Sequence, residues 1–258
     1  MQNPTAYQEV NNMQIRDLEV ILREHQFKWK QRNARIMDIG CGDGSATIGL
    51  WKKYIPESFM TIVGSDKSQA CIKFAKKNYE TEEVKFMTLD IEEEIPNELK
   101  GCFDHVVSNY VFHWVQQQEK GFSNIYNMLT KDGKCLLIFL GNCNIYENYR
   151  TLSRTTKWHS YLKDVKTKFI SPYHDSQDPE TEIRCLMRKI GFRDINVNVQ
   201  NLSFGFVRGI DEFRDMMKCL NPFDGLEDKW DDFTDDYVQL DPNAGTIIYQ
   251  LLVVSGTK

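Results

Sequence analysis

The feature that most constrains the fold of this chain is a glycine-rich turn at residues 40–44, with the sequence Gly-Cys-Gly-Asp-Gly. It follows a short apolar segment, Arg35–Ile39, and precedes Ser45, so the pattern predicts a strand, a tight turn and a helix that runs to Tyr54. Glycine adopts positive φ angles without strain and lets a ligand approach the backbone closely. The dinucleotide-binding pattern G-x-G-x-x-G would require glycine at position 45. The turn therefore predicts a ligand site that differs from a dinucleotide site.

Three acidic residues stand at or just after the ends of the predicted strands. Asp38 would repel a pyrophosphate, but it suits the cationic amino-acid end of S-adenosylmethionine. Asp66 ends the second apolar segment, where an acid can accept hydrogen bonds from both ribose hydroxyls. Asp90 is placed to accept from the adenine amino group, and it can also cap a helix before residues 92–94. A glycine-rich turn alone is common in α/β proteins, but together with these acids it predicts a class I methyltransferase that uses S-adenosylmethionine and releases S-adenosylhomocysteine.

The same edge of the sheet supplies the other predicted cofactor contacts. These are Gly40, Gly42, Lys67, Ile91, Ser108 and Asn109. The two glycines give access to the backbone, and Ile91 is expected to lie against a face of the adenine ring. Ser108 and Asn109 end the fourth strand, so we expect them beside the sulfur that carries the methyl group.

Apolar segments and helical stretches alternate along the chain, which predicts an α/β fold: a doubly wound, Rossmann-like class I methyltransferase sheet with helical lid insertions. Strands are predicted at residues 35–39, 61–65, 84–89, 103–108, 134–140, 192–199 and 245–254, the last antiparallel. Helices are predicted at residues 12–29, 45–54, 69–78, from after the fourth strand to 128, 145–165, 179–190, 211–219 and 226–237. We expect a single domain over 1–258, with a cofactor-binding core at 35–141. Residues 1–30 and 142–237 would form the lid over the carboxyl ends of the strands.

Composition and net charge limit the kinds of molecule that the protein is expected to bind. The net charge of −5 and the acidic run at residues 224–236, interpreted as a solvated helix face, argue against nucleic acid as a substrate. Seven cysteines without a C-x-x-C pair favour reduced thiols over disulfides or a metal site. The sequence shows neither a basic-then-apolar leader nor an apolar run of membrane-spanning length, so we expect a cytoplasmic protein without membrane attachment. A homodimer remains open.

Several longer motifs make the chain resemble the insect juvenile hormone acid O-methyltransferases. They are Gln-Ile-Arg-Asp at 14–17, His-Trp-Val-Gln at 113–116, Lys-Trp-His-Ser at 157–160, Phe-Ile-Ser-Pro-Tyr-His-Asp at 169–175 and Asn-Pro-Phe at 221–223. The glycine turn is shared by many methyltransferases, whereas the motifs at 157–160 and 169–175 are specific. The resemblance implies methylation of the carboxylate of an isoprenoid acid, such as juvenile hormone acid or farnesoic acid. A binding protein of low activity, or an enzyme for another small carboxylic acid, remains an alternative.

The resemblance also implies the residues that bind the substrate. Gln14 and Trp114 would hold the carboxylate, with His113 and Tyr173 lining the pocket. Amide and indole N–H groups can bind a carboxylate without supplying a proton, and a carboxylic acid of pKa about 4 is already ionised at neutral pH. His113 as a general base is therefore less favoured. From the residues alone, Gln14 could simply begin a helix and Trp114 could be a core aromatic residue.

Overall fold

The computed structural model describes residues 4–25, 27–241 and 243–258. These residues form a seven-stranded sheet with helices packed on it. The strands are β1 (Arg35–Ile39), β2 (Thr61–Asp66), β3 (Val84–Thr88), β4 (Phe103–Asn109), β5 (Leu129–Cys143), β6 (Arg193–Gly205) and β7 (Thr246–Thr257). Their order is β3-β2-β1-β4-β5-β7-β6. Strands β1 to β5 are parallel, and β7 pairs antiparallel with both β5 and β6. The predicted antiparallel last strand is confirmed.

Helices connect the strands and cover the sheet. They are α1 (Pro4–Gln8), α2 (Asn12–Glu24), α3 (Lys52–Tyr54), α4 (Gln69–Tyr79), α5 (Gln118–Met128), α6 (Asn144–Leu152), α7 (Val165–Lys168), α8 (Pro179–Ile190), α9 (Ile210–Leu220) and α10 (Trp230–Leu240). A π-helical turn at Thr47–Trp51 precedes α3, and short 3₁₀ turns lie at Asn97–Leu99 and Glu227–Lys229. Within the described residues, the helices are too short or too polar to cross a membrane.

The central strands are apolar on both faces because helices cover both faces of the parallel part of the sheet. Ile36 and Met37 are neighbours on β1, so their side chains point to opposite faces. Both are fully buried, and each belongs to a different hydrophobic cluster. The alternation of strands and helices read from the sequence thus corresponds to two separate cores on either side of one sheet.

Capping residues fix several helix ends where the sequence predicts them. The Ser68 hydroxyl accepts a hydrogen bond from the backbone N–H of Cys71 at the start of α4. Asp178 caps α8 by accepting from Thr181 N at 3.0 Å, and proline occupies the first turn of that helix. Gly191 ends α8 with φ of +119°, a conformation that favours glycine.

Two predicted helices are wrong in length. The helix expected over residues 12–29 ends at Glu24, because the chain then turns extended and packs against the amino edge of the sheet, where Lys30 N donates to His105 Nε2. The helix expected over residues 145–165 ends at Leu152. There the Thr155 hydroxyl donates to the carbonyl of Leu152 at 2.8 Å, and the chain continues as turns until α7. Hydroxyl side chains compete in this way for the carbonyls that would continue a helix.

Candidate active site

A cavity of about 430 Å³ opens at the carboxyl ends of β1 to β4. Elements far apart in sequence close it from above: α1, α2, the end of α7 and the segment that follows α9. Ten of the residues predicted from the sequence line it. They are Gln14, Asp38, Gly40, Gly42, Asp66, Lys67, Asp90, Ile91, Asn109 and Trp114. The cavity therefore brings the predicted cofactor residues and the predicted substrate residues into one space.

The glycine turn forms the floor of this cavity. Gly40, Gly42 and Gly44 have φ angles of +72°, +56° and +84°, which side-chain-bearing residues rarely adopt. A Cβ atom on Gly40 would lie 2.1 Å from Val111 Cγ2, so this position has no room for a side chain. The N–H groups of Gly40 and Cys41 both donate to the carbonyl of Ser65, at 2.7 and 2.9 Å. The turn is thereby fixed to the end of β2.

Asp66 is held by backbone donors at the same end of β2. Its Oδ2 accepts from Gly42 N at 3.0 Å, and its Oδ1 accepts from Ser68 N at 2.8 Å. Each carboxylate oxygen has two lone pairs, so both oxygens retain capacity for a further donor. The carboxylate is therefore oriented in advance and can still accept the two hydroxyls of a ribose.

Asp38 is buried beneath the turn, with 2 % of its surface exposed. Its Oδ2 accepts a hydrogen bond from the Thr47 hydroxyl at 2.7 Å. Burial raises the pKa of this carboxyl from 3.8 to about 7, and the negative charge of Asp66 adds to the effect. A cation in the cavity would restore the ionised form. This matches the ammonium group that the sequence assigns to Asp38.

Further buried acceptors in the lining fit a ligand rich in hydrogen-bond donors. Among the described residues, Gln14 Oε1, Asp43 Oδ2 and Asn109 Oδ1 have no hydrogen-bond partner. Leaving a buried polar atom unpaired costs about 1–3 kcal/mol. S-Adenosylmethionine carries an ammonium group, two ribose hydroxyls and an adenine amino group, so its donors suit these acceptors. The residues present therefore fit the predicted cofactor.

Asp90 lies just after β3, and the residues at 91–93 form a turn where the sequence allowed a helix. Asp90 lines the cavity, and its Oδ1 accepts from Glu92 N at 3.0 Å as in a capping turn. Glu92 in turn accepts from the backbone N–H groups of Gln116 and Gln117, at 2.9 and 2.8 Å. This contact joins the end of β3 to the segment after β4. Sequence reasoning missed it, because nothing local distinguishes Glu92 from the neighbouring glutamates.

Trp114 reaches the cavity from the segment that follows β4. Its ring contacts Phe169 and His113, with centroids 5.6 and 5.3 Å away, while part of it lines the cavity. The core and ligand interpretations are therefore compatible. Gln14 lies on α2, and Asn109 Nδ2 donates to its backbone carbonyl at 3.3 Å. The end of β4 thus holds the helix that carries Gln14.

Three predicted site residues lie outside the described lining of the cavity. The Ser108 hydroxyl donates to the carbonyl of Ile39 at 2.8 Å, so it ties β4 to β1. His113 is 4 % exposed and accepts from Leu140 N, and burial lowers its pKa to about 3. The Tyr173 hydroxyl donates to Gln118 Oε1 at 3.1 Å. Each of these three side chains has a polar atom paired within the protein, and their roles in binding stay predictions.

Residues from the lid, together with Tyr110 after β4, complete the lining, and sequence reasoning missed most of them. They include Tyr7, Asn11, Tyr110, Lys168 and the segment 220–222. Burial raises the pKa of the Tyr7 hydroxyl, and the nearby carboxylate of Asp43 adds to the effect. The motif at 221–223 was the available signal for part of this set. The other residues carry no local pattern that indicates a site.

Comparisons with known proteins agree with this geometry. A family model described as a methyltransferase domain matches residues 30–184. The juvenile hormone acid O-methyltransferase of Bombyx mori is 41% identical over 93% of this chain and 86% of its own length. The enzyme of the same name from Drosophila melanogaster is 36% identical over 93% of this chain and 82% of its own length.

The fold is also shared with solved structures. Phosphoethanolamine N-methyltransferase 2 of Haemonchus contortus, solved in complex with S-adenosyl-L-methionine, has a TM-score of 0.62 and 18% identity. The match covers 99% of this chain and 56% of that one. With the two closely similar enzymes and the domain match, this identifies the cofactor as S-adenosylmethionine. The chain belongs to the family of juvenile hormone acid O-methyltransferases, within the class I methyltransferases.

Proposed function

We propose that this enzyme methylates the carboxylate of an isoprenoid acid of the juvenile hormone acid or farnesoic acid type, giving the methyl ester. The observation that carries the proposal is that Gln14 and Trp114 line the same cavity as Asp38 and Asp66. Two neutral N–H donors thus share one space with the acids suited to the cofactor. The names of the relatives supply the class of acid.

The chemistry requires placement of the substrate and no general base. The carboxylate is ionised at neutral pH, and the bound cofactor supplies an electrophilic methyl group. Gln14 and Trp114 would donate hydrogen bonds to the carboxylate and direct one of its oxygens toward that methyl group. Correct placement of two reactants can supply about 7–11 kcal/mol of the barrier. His113 stays neutral because of its lowered pKa, and it lies behind Trp114.

The cofactor side of the proposal assigns one role to each group. Asp38 would bind the ammonium end of S-adenosylmethionine, and Asp66 would bind the ribose hydroxyls. Asp90 would accept from the adenine amino group, with Ile91 against the ring. Gly40 and Gly42 would let the cofactor approach the backbone, with Lys67 and Asn109 completing the contacts. The single-domain organisation, the cytoplasmic location and the homodimer stay predictions.

The test is Trp114→Phe, which keeps the aromatic ring and deletes the indole donor. A hydrogen bond to a charged acceptor is worth about 1.5–3 kcal/mol, so turnover of farnesoic or juvenile hormone acid should fall at least about tenfold. Cofactor affinity, measured by calorimetry, should stay within about twofold. Equal losses in turnover and cofactor affinity would show that Trp114 is structural, and the proposed carboxylate contact would be wrong.

Trp158→Phe is the matched control. Trp158 also donates its indole N–H to an acid, Asp236 Oδ2 at 2.7 Å, but it is buried in the lid and lies outside the described lining. The same substitution there should lower the thermal midpoint while leaving turnover within about threefold.

The nature of the acceptor group separates the remaining alternatives. A single-turnover assay with labelled cofactor should convert farnesoic acid to its ester, whereas an alcohol or amide of equal length should not react. Binding of the acid without turnover would favour the low-activity alternative. Preference for a short carboxylic acid would favour a different small substrate. Turnover of the alcohol would require a base that the proposal lacks.

A further inference from the structure

A buried polar cluster lies behind the cavity wall that carries Gln14, and Asp17 is at its centre. Asp17 Oδ2 accepts hydrogen bonds from the hydroxyls of Tyr110 and Tyr249, both at 2.5 Å. Asp17 Oδ1 accepts from Nε and Nη2 of Arg16, at 2.9 and 2.7 Å. Only 3 % of Asp17 is exposed. We call these four residues the Asp17 cluster.

The Asp17 cluster joins three elements that are remote in sequence. Asp17 lies on α2, Tyr110 follows β4 directly, and Tyr249 lies on β7. Gln14 precedes Asp17 by three residues on α2, so their side chains lie on neighbouring positions of one helix face. Asn109 also donates to the Gln14 carbonyl. The consecutive residues Asn109 and Tyr110 therefore hold α2 at Gln14 itself and three residues further along the helix.

Tyr110 is the member of the cluster that reaches the cavity. It lines the cavity, while its hydroxyl points away to Asp17. Its φ of +59° lies in the left-handed region, which is unfavourable for a residue with a side chain. The hydrogen bond from Tyr110 N to the Ile138 carbonyl, at 2.7 Å, helps to fix this conformation. Such strain persists only where the surroundings determine the conformation strongly.

The charges around Asp17 matter for an anionic substrate. Asp17 lies one helical turn from Gln14, so its negative charge would repel a carboxylate bound there. Arg16 and the two tyrosine hydroxyls direct four hydrogen bonds at the Asp17 carboxylate, and Arg16 Nη2 also donates to the Tyr249 hydroxyl at 2.6 Å. These donors thus offset the negative charge of the carboxylate that anchors α2.

We propose that the hydrogen bond from Tyr110 to Asp17 positions Gln14 for the substrate carboxylate. Tyr110 and Asp17 are positioning residues, since they act through Gln14. This inference rests on the proposed function, because it assigns the carboxylate to Gln14. Tyr249 makes the same bond to the same oxygen, but from β7 and outside the described lining of the cavity.

The two tyrosines therefore provide a matched pair of variants. Tyr110→Phe and Tyr249→Phe each remove one hydroxyl from Asp17 Oδ2 and keep the ring. Tyr110→Phe should lower kcat/KM for farnesoic acid at least about tenfold, against less than about threefold for Tyr249→Phe. Cofactor affinity should stay within about twofold in both. In a Gln14→Ala background, Tyr110→Phe should lower kcat/KM by less than about twofold, because residues that act through one contact are not additive.

Equal losses from both tyrosine variants, or a full additional loss in the Gln14→Ala background, would overturn the inference. Hydrogen exchange of the α2 amides provides a readout that needs no turnover. Tyr110→Phe should speed exchange around Gln14 more than Tyr249→Phe does. If the wild-type enzyme does not methylate the acid, the proposed function fails, and hydrogen exchange still decides whether Tyr110 positions Gln14. Should Tyr110→Phe fold poorly, Asp17→Asn replaces it, with the same expected losses.

Discussion

The cavity has a proposed cofactor side and a proposed substrate side, and the two are built in different ways. The cofactor side uses acids and glycine backbone from the ends of successive strands, and most of these groups are already oriented by backbone hydrogen bonds. The proposed substrate side takes Gln14 from α2 and Trp114 from the segment after β4, while α7 and residues 220–222 supply further lining of the cavity. The residues of the first side are therefore specified by local sequence, whereas the second side depends on tertiary packing.

Burial shifts the pKa of an acid among the proposed cofactor residues and the pKa of a histidine behind Trp114, with different consequences. It raises the pKa of Asp38 to about 7 and lowers that of His113 to about 3, so each group tends toward its neutral form. On the cofactor side an incoming cation can reverse the effect. His113 lies outside the described lining, where it packs against the rings of Tyr110 and Trp114 and stays neutral. The cofactor side should therefore respond to pH, and the substrate side should not.

The largest effect is expected from Gly40→Ala, which tests whether the cofactor side depends on its backbone. The positive φ costs alanine about 1–2 kcal/mol, and the contact with Val111 adds an overpacking cost of about 1–3 kcal/mol. Cofactor affinity should fall at least about a hundredfold in calorimetry. Gly49→Ala is the control, since a Cβ there meets no described atom within 4 Å. Affinity within threefold for Gly40→Ala would contradict the role of the turn.

Asp66→Ala should have the next largest effect. It removes a charged acceptor for the ribose, worth about 1.5–3 kcal/mol, so cofactor affinity should fall at least about tenfold. Asp104→Ala is the matched control. Asp104 lies at the amino end of β4, at the far end of the strands from the cavity, where it accepts from Arg35 N at 2.9 Å. That variant should lose stability and keep its affinity. Unchanged cofactor affinity in Asp66→Ala would show that Asp66 does not bind the ribose hydroxyls.

Asp38→Asn should weaken cofactor binding and stabilise the ligand-free protein. Because the folded pKa of about 7 exceeds the ordinary 3.8, the folded state holds its proton over that window while the unfolded state loses it. Stability of the wild type therefore falls as pH rises from about 3.8 to about 7. Asparagine does not titrate, so it abolishes this loss of stability. The midpoint of thermal unfolding at neutral pH should therefore rise by a few degrees. Wild-type cofactor affinity should fall as pH drops below about 7, and a flat profile would contradict this assignment.

The smallest effect is expected for the pH dependence of kcat. With both substrates saturating, kcat should change less than about twofold between about pH 6 and about pH 9, because neither the ionised carboxylate nor neutral His113 titrates in that range. An ascending limb centred near pH 6.5 would identify a histidine base. His113→Gln should then abolish that limb.

The sequence predicted what local patterns determine. All seven strands were anticipated, and the acids Asp38, Asp66 and Asp90 lie in the cavity as expected. Their positions follow from strand ends and turns, which neighbouring residues specify. Gln14 and Trp114 came from the family resemblance, since residue type alone favours a helix start and a core aromatic residue.

The sequence did not indicate contacts in which side chains bond to distant partners. Ser108 and Tyr173 are one or a few residues from lining positions, but their hydroxyls bond to Ile39 and Gln118 instead. The end of the helix at Leu152 depends on local hydroxyl bonds and on the burial of Trp158 in the lid. Glu92 and Tyr110 acquire their roles only when β3, β4 and α2 meet. Such contacts leave no periodic signal in the sequence.

The position of β7 also sets the order in which the molecule can assemble during its own synthesis. About a hundred residues separate the end of β5 from the start of β7, yet β7 lies between β5 and β6. At roughly 5–20 residues per second, a ribosome needs about 5–20 s to cross that interval. Until β7 is made, β5 lacks the strand that pairs with it at Leu137 and Phe139, and β6, complete at residue 205, has no strand to join. Most of the cofactor-binding strands can thus pair early, while the Asp17 cluster must wait for Tyr249.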